Sequence, residues 1–277
     1  MNNKTKIIIY DDTCPLCAAY TNGFVQSELI EKENRIKFSN ITPELLALVD
    51  IKRSVNEIPV IDVNTKQVWY GIDALLEILS QKLPFIKTAG NIKPIKWLLF
   101  KLYKFISYNR RVIVATKQSS NSFDCTPDFN FRYRVLFMMV FLIFNTMLLI
   151  PLQQYLLNAS LFSTTTIRQL QAAHLTLVGL NIMLACSLGK KNGIEYLGQV
   201  NMLALIAIAF TIPLLLINKY FNLHNNDINN FYLGMLAIVI FGEYIRRMKF
   251  AGIISQYLLI ICINGLSIAS FLLYLIL

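Results

Sequence analysis

From Val135 to Leu277 the chain carries only three acidic residues, Glu195, Asp227 and Glu243, among runs such as "VLFMMVFLIFNTMLLI" and "LALIAIAFTIPLLLI". Nothing else in the sequence restricts the fold so strongly. Apolar segments fall near 135–157, 169–189, 195–218, 228–245 and 250–277. A helix of roughly 20 apolar residues crosses the hydrocarbon of a bilayer and satisfies its own backbone there. The reading is therefore an all-α membrane region of about five transmembrane helices. The fourth segment is the shortest and contains Glu243, which makes it the weakest of the set.

The basic residues set an orientation. Arg132 and Arg134 precede the first segment, Lys190 and Lys191 follow the second, and "RRMK" follows the fourth, while the other loops hold only Arg168 and Lys219. Positively charged loops stay on the cytoplasmic side. This predicts a multi-pass protein with its N-terminal part cytoplasmic and its C-terminus outside. The net charge of +10 then belongs largely to loops beside anionic lipid. No nucleic-acid motif accompanies it, so the expected partner is the lipid bilayer and no nucleic acid. "MNNKTK" is basic, but "IIIY" is too short for the apolar core of a signal peptide. The first domain is expected to remain in the cytoplasm, where thiols are mostly reduced.

Ahead of the apolar segments the chain is mixed and charged, and its hydrophobic periodicity alternates between strand and helix. "KIIIYDD" reads as a buried strand, "CAAYTNGFVQSELI" as a helix, and "RIKFSNI" as a second strand. "TPELLALVD" opens like a helix with Thr42 as cap, "IPVIDV" and "QVWYG" form a strand pair around "NTK", and "IDALLEILSQKL" is a further helix. The order is β-α-β-α-β-β-α. Residues 82–117 hold many bases and no acid. Within them Ile95, Leu98, Leu99, Leu102, Phe105 and Ile106 recur at helical spacing, with Lys93, Lys96, Lys101 and Lys104 mostly off the stripe. That is a basic amphipathic helix, packed on the domain or lying at a membrane surface. The expected domains are 1–113, a polar linker at 114–134, and a membrane domain at 135–277.

"YDDTCPLC" places Cys14 and Cys17 just after the first strand and at the start of a helix. A helix N-terminus offers unpaired N–H groups and partial positive charge, which favour a thiolate. Two intervening residues let the sulfurs approach bonding distance. Cys14 is expected to be the exposed, attacking cysteine and Cys17 the resolving one. A zinc half-site would need two more ligands, and only Cys125, His174 and His224 are at hand; idle thiols are the remaining reading. No metal and no cofactor is expected. Asp11 could accept the proton of Cys17 or simply cap the strand end.

"YDDTCPLC", "IPVIDVNTKQVWYGIDAL" and "YKFISYNRRV" together resemble the DCC family of thiol-disulfide oxidoreductases over roughly residues 5–113. The resemblance implies an α/β thioredoxin-like N-terminal domain. It sets the family's Asp-x-x-Cys-x-x-Cys signature on Asp11, Cys14 and Cys17, its glycine feature on Gly71 with Ala74 close after, and its terminal "N-R" on Asn109 and Arg110. Asp12 stands where glycine is usual. A thioredoxin-like fold also implies a substrate groove formed by Pro15, Ile58 and Pro59, with the Ile58–Pro59 bond cis and facing Cys14. The implied activity is exchange with protein or small-molecule thiols and disulfides, glutathione or thioredoxin among them.

The function expected is that of a membrane-anchored, cytoplasm-facing thiol-disulfide oxidoreductase. Two other readings stay open: a redox sensor or docking module on a membrane protein, and a transporter or quinone-linked protein using polar residues of the spans. Asn145, His174, Asn181, Asn201, Glu243 and Asn264 are those residues. His174 and Asn181 share a helix face, which suits either a polar pocket or interhelical hydrogen bonding. Glu243 is placed to pair with Arg246 and Arg247.

Overall fold

The computed structural model describes residues 5–115, 127–221 and 225–276. Cys125, His224 and most of the expected linker lie outside the described residues. The chain divides into two compact units, Met1–Tyr133 and Arg134–Leu277.

The first unit is built on a four-stranded sheet in the order β2-β1-β3-β4. Strand β1 (Lys6–Tyr10) runs parallel to β2 (Arg35–Lys37) and antiparallel to β3 (Pro59–Asp62), which pairs with β4 (Val68–Tyr70) as a hairpin. Alternation along a strand sends neighbours to opposite faces. Ile8, Tyr10 and Val60 pack with Leu29, Ile30, Ala74 and Ile78 on one side. Ile9 and Ile61 pack with Phe38 and Val49 on the other. Both faces are covered, which is why "IIIY" is apolar without interruption. The fold is thioredoxin-like.

Helix α1 (Pro15–Gln26) follows β1, and Pro15 occupies its first turn, where a missing N–H costs nothing. The helix expected at "TPELLALVD" is instead two single turns, α2 (Pro43–Leu46) and α3 (Ile51–Ser54). Thr42 makes no side-chain cap bond, whereas Asp50 accepts the Arg53 N–H at 3.1 Å and starts a new helix. Val49, between the turns, is drawn into the core. Helices α4 (Gly71–Leu79) and α5 (Pro84–Gly90) then lead into α6 (Lys93–Ile113), the expected basic amphipathic helix.

Gly71 opens α4 with φ +59° and donates its N–H to the Ile58 carbonyl at 2.9 Å. A Cβ there would lie 3.2 Å from the Tyr103 ring and 3.4 Å from Glu57. Asp12, by contrast, is not among the residues with positive φ, so the usual glycine is not needed for this backbone.

The second unit holds five helices long and apolar enough to cross a membrane: α7 (Phe131–Tyr155), α8 (Ile167–Cys186), α9 (Lys190–Phe221), α10 (Asn226–Phe250) and α12 (Leu258–Ile276), with the single turn α11 (Ile253–Gln256) before the last. The fourth is longer than its apolar run. It continues through "RRMK", where Glu243 bonds Arg246 at 2.6 Å and Arg247 at 2.8 Å. Arg247, 1% exposed, also donates to Gln199 of α9 at 2.7 Å. The other polar span residues pair between helices. Asn145 faces Asn201, Tyr196 donates to Asn181, and Asn264 donates to the Tyr244 hydroxyl at 3.2 Å. Asn181 is thus spent on an interhelical hydrogen bond, while His174 Nε2 has no partner among the described residues.

Candidate redox site

Cys14 is the N-cap of α1. Its Sγ accepts the Cys17 N–H at 3.4 Å, and its own N–H donates to the Asp11 carbonyl at 3.3 Å. The cap position thus folds the first sulfur back over the helix end, one turn from the second. Both thiols are free, and both are buried, with Cys14 8% and Cys17 4% exposed. The expected contrast in exposure is therefore slight; the cap bond turns Cys14 inward, and Pro15 beside it is the exposed member of the motif.

The electrostatics separate the two sulfurs. The Cys14 thiol is drawn down to about 6, first by the Cys17 thiol donating to it, then by the Cys17 N–H and the Arg110 guanidinium, against burial and the Asp11 charge. Cys17 is pushed far up, because it supplies that hydrogen bond and is buried. An ordinary thiol titrates near 8.5.

Arg110, on the last turns of α6, ties the site together. Its guanidinium lies 3.8 Å from Cys17 Sγ and 3.5 Å from the Asp11 carboxylate, and it donates to the Val55 carbonyl at 2.9 Å. Asp11 also accepts from the Thr13 N–H at 3.0 Å and the Thr13 hydroxyl at 2.7 Å. It is therefore a turn former and a charge partner of Arg110 at once. Tyr103, two turns back on the same face of α6, accepts the Ile58 N–H at 2.9 Å, and burial raises its hydroxyl.

Ile58 and Pro59 do come to the site. They line a cavity of about 10 Å³, room for one water at most, together with Asp11, Cys17, Tyr20 and Arg110. They meet it on the Cys17 side, and the Ile58–Pro59 bond is trans, not cis. The trans form is the ordinary one. Here it leaves both Ile58 backbone groups paired, the N–H with Tyr103 and the carbonyl with Gly71. Sequence reasoning singled out Arg110 only as part of "N-R" and gave it no role. Tyr103 and Thr13 went unremarked. The spacing of Tyr103, Ser107 and Arg110 along one helix face was the available signal.

The sheet order, the strand-to-helix junction and the close cysteine pair define a thioredoxin-like dithiol domain. Residues 8–115 match the family model described as DCC1-like thiol-disulfide oxidoreductase. No curated protein and no solved structure matches the chain.

Proposed function

We propose that the protein is a membrane-bound thiol-disulfide oxidoreductase working through Cys14 and Cys17, with its N-terminal domain on the cytoplasmic side and the chain end outside. The observation that carries the reading is the Cys14 sulfur at the α1 N-cap, accepting the Cys17 N–H at 3.4 Å, with the buried Arg110 guanidinium 3.8 Å from the second sulfur.

The Cys14 thiolate attacks a substrate disulfide. A Cys14–substrate disulfide forms, the substrate S–S bond breaks, and the departing thiolate takes a proton from water. Cys17 then loses its proton, with Asp11 as acceptor across the small cavity, and attacks the Cys14 sulfur. The second substrate thiolate leaves, and two electrons have passed from the dithiol to the substrate. The Cys14–Cys17 disulfide is returned to the dithiol by an external thiol of the glutathione or thioredoxin class. Arg110 stabilises the thiolate that forms at Cys17 in the second step. Pro15, exposed at the helix start, and Ile58 and Pro59 border the approach.

Replacing Cys17 with serine tests this. The C17S chain should accumulate mixed disulfides through Cys14 that a C14S/C17S chain lacks. If C17S traps nothing in cells while Cys14 alkylates no faster than Cys125, the thiols are not exchanging, and a docking role replaces the redox one.

A further inference from the structure

Helix α6 is mounted with its polar side inward. Tyr103 and Arg110 hold the backbone of Ile58 and Val55, and the Ser107 hydroxyl donates to the Asn56 carbonyl. Four residues of the apolar stripe face outward instead, while Leu99 and Phe105 at its sides are half-buried. Ile95, Leu98, Leu102 and Ile106 are 40, 52, 49 and 47% exposed. A helix that serves only to pack a soluble domain buries this stripe. Trp97, 63% exposed, falls by helical position on the lysine side, among Lys93, Lys101 and Lys104.

The charge beside the stripe is of one sign. Residues 82–106 contain six lysines and no acid. Lys82, Lys87 and Lys96 pair with Glu28, Glu77 and Asp73. Lys93, Lys101 and Lys104 pair with no carboxylate among the described residues. Exposed aliphatic residues, with an exposed tryptophan among uncompensated lysines on the same helix, are complementary to acyl chains beneath anionic headgroups. The five apolar helices of the same chain supply the bilayer to which this domain is tethered.

We propose that α6 lies in the interface of an anionic leaflet, with Ile95, Leu98, Leu102 and Ile106 among the acyl chains and Lys93, Lys101 and Lys104 among the headgroups. The surface is a lipid-binding one, independent of whether the dithiol exchanges.

Trp69→Phe in the full chain leaves Trp97 as the sole tryptophan. The protein is placed in nanodiscs of phosphatidylcholine alone or with added phosphatidylglycerol, each with lipids brominated near the headgroup. With phosphatidylglycerol, Trp97 should emit at shorter wavelength, be quenched by the brominated lipid and be shielded from aqueous iodide. Converting Lys93, Lys101 and Lys104 to glutamine should weaken docking about fivefold per lysine, the ratio that about 1 kcal/mol represents. The alkylation rate of Cys14 checks that this variant keeps its fold. Three results overturn the proposal. Trp97 open to iodide in both bilayers means a solvated helix. Trp97 shielded from iodide and bromine alike means a protein cover. Quenching equal in both bilayers and unmoved by the glutamines means that anionic lipid is not the partner.

Discussion

Replacing Arg110 with methionine keeps the length and apolar stem of the side chain and removes its charge. At an effective dielectric of about 20, a full charge 3.8 Å from the Cys17 sulfur interacts with its thiolate by about 4 kcal/mol. Solvent and relaxation return part of this; if half is lost, about 2 kcal/mol remains, or roughly thirtyfold in the rate of the resolving step. The same change strips Asp11 of a charge partner 3.5 Å away and leaves its negative charge without that cation near both sulfurs. Cys14 loses less, because its largest stabilising influence, the Cys17 thiol, is untouched. Its midpoint should rise from about 6 by about one unit. The sign follows from the charge: removing a cation disfavours the thiolate, so alkylation slows near pH 6 and is little changed at pH 8.5. The assay is the pH dependence of iodoacetamide labelling of the Cys14 peptide, read by mass spectrometry, followed by release kinetics from a preformed Cys14 mixed disulfide. Arg110→Lys should recover most of the midpoint. An unchanged midpoint with unchanged release in R110M refutes the electrostatic role. Equal losses in R110M and R110K would assign Arg110 to shape through its Val55 contact.

Asp11→Asn should lower the Cys14 midpoint further and yet prolong the mixed disulfide, since it removes a negative charge and the proton acceptor for Cys17 together; faster release in D11N contradicts the second part. Gly71→Ala should destabilise the N-terminal domain by about 1–3 kcal/mol, from a left-handed backbone and a tight Tyr103 contact, seen as faster amide exchange in α4. Reporters that work only outside the cytoplasm, fused after Lys190 and after Leu277, should be silent and active respectively; the reverse pattern inverts the proposed orientation.

What the sequence made legible, and what it hid, follows from how local each determinant is. The order of strands and helices rests on periodicities within a few residues, and the Cys14 cap rests on Pro15 beginning a helix straight after a strand. Those were readable. The break at Val49 was harder: "TPELLALVD" suits one helix, and only the cap formed by Asp50 and the burial of Val49 decide for two turns. The Ile58–Pro59 bond takes the ordinary trans form, and the cis expectation rested on the resemblance rather than on any residue near it. Arg110 reaches Cys17 across 93 residues; the helix face it shares with Tyr103 and Ser107 marks it as inward-facing but does not name the sulfur it meets. For α6 the amphipathic pattern was plain, but an apolar stripe does not say whether it meets a core or a lipid. The inward polar face at Tyr103, Ser107 and Arg110 answers that question from the opposite side of the helix.

The uninterrupted course of α6 imposes a rule on mutational tolerance. The stripe ending at Ile106 and Arg110, which enters the dithiol site from the last turns, belong to one rod, so their angular phase is shared. Inserting a single residue between Ile106 and Ser107 would turn one part against the other by about 100° and shift it about 1.5 Å. Arg110 would then leave Asp11, Cys17 and Val55 together. An indel here should be more damaging than substitution of any one residue it displaces. Genetic variation in this segment should accordingly appear as exchanges of residue type at constant length, with gaps confined to positions before Lys93.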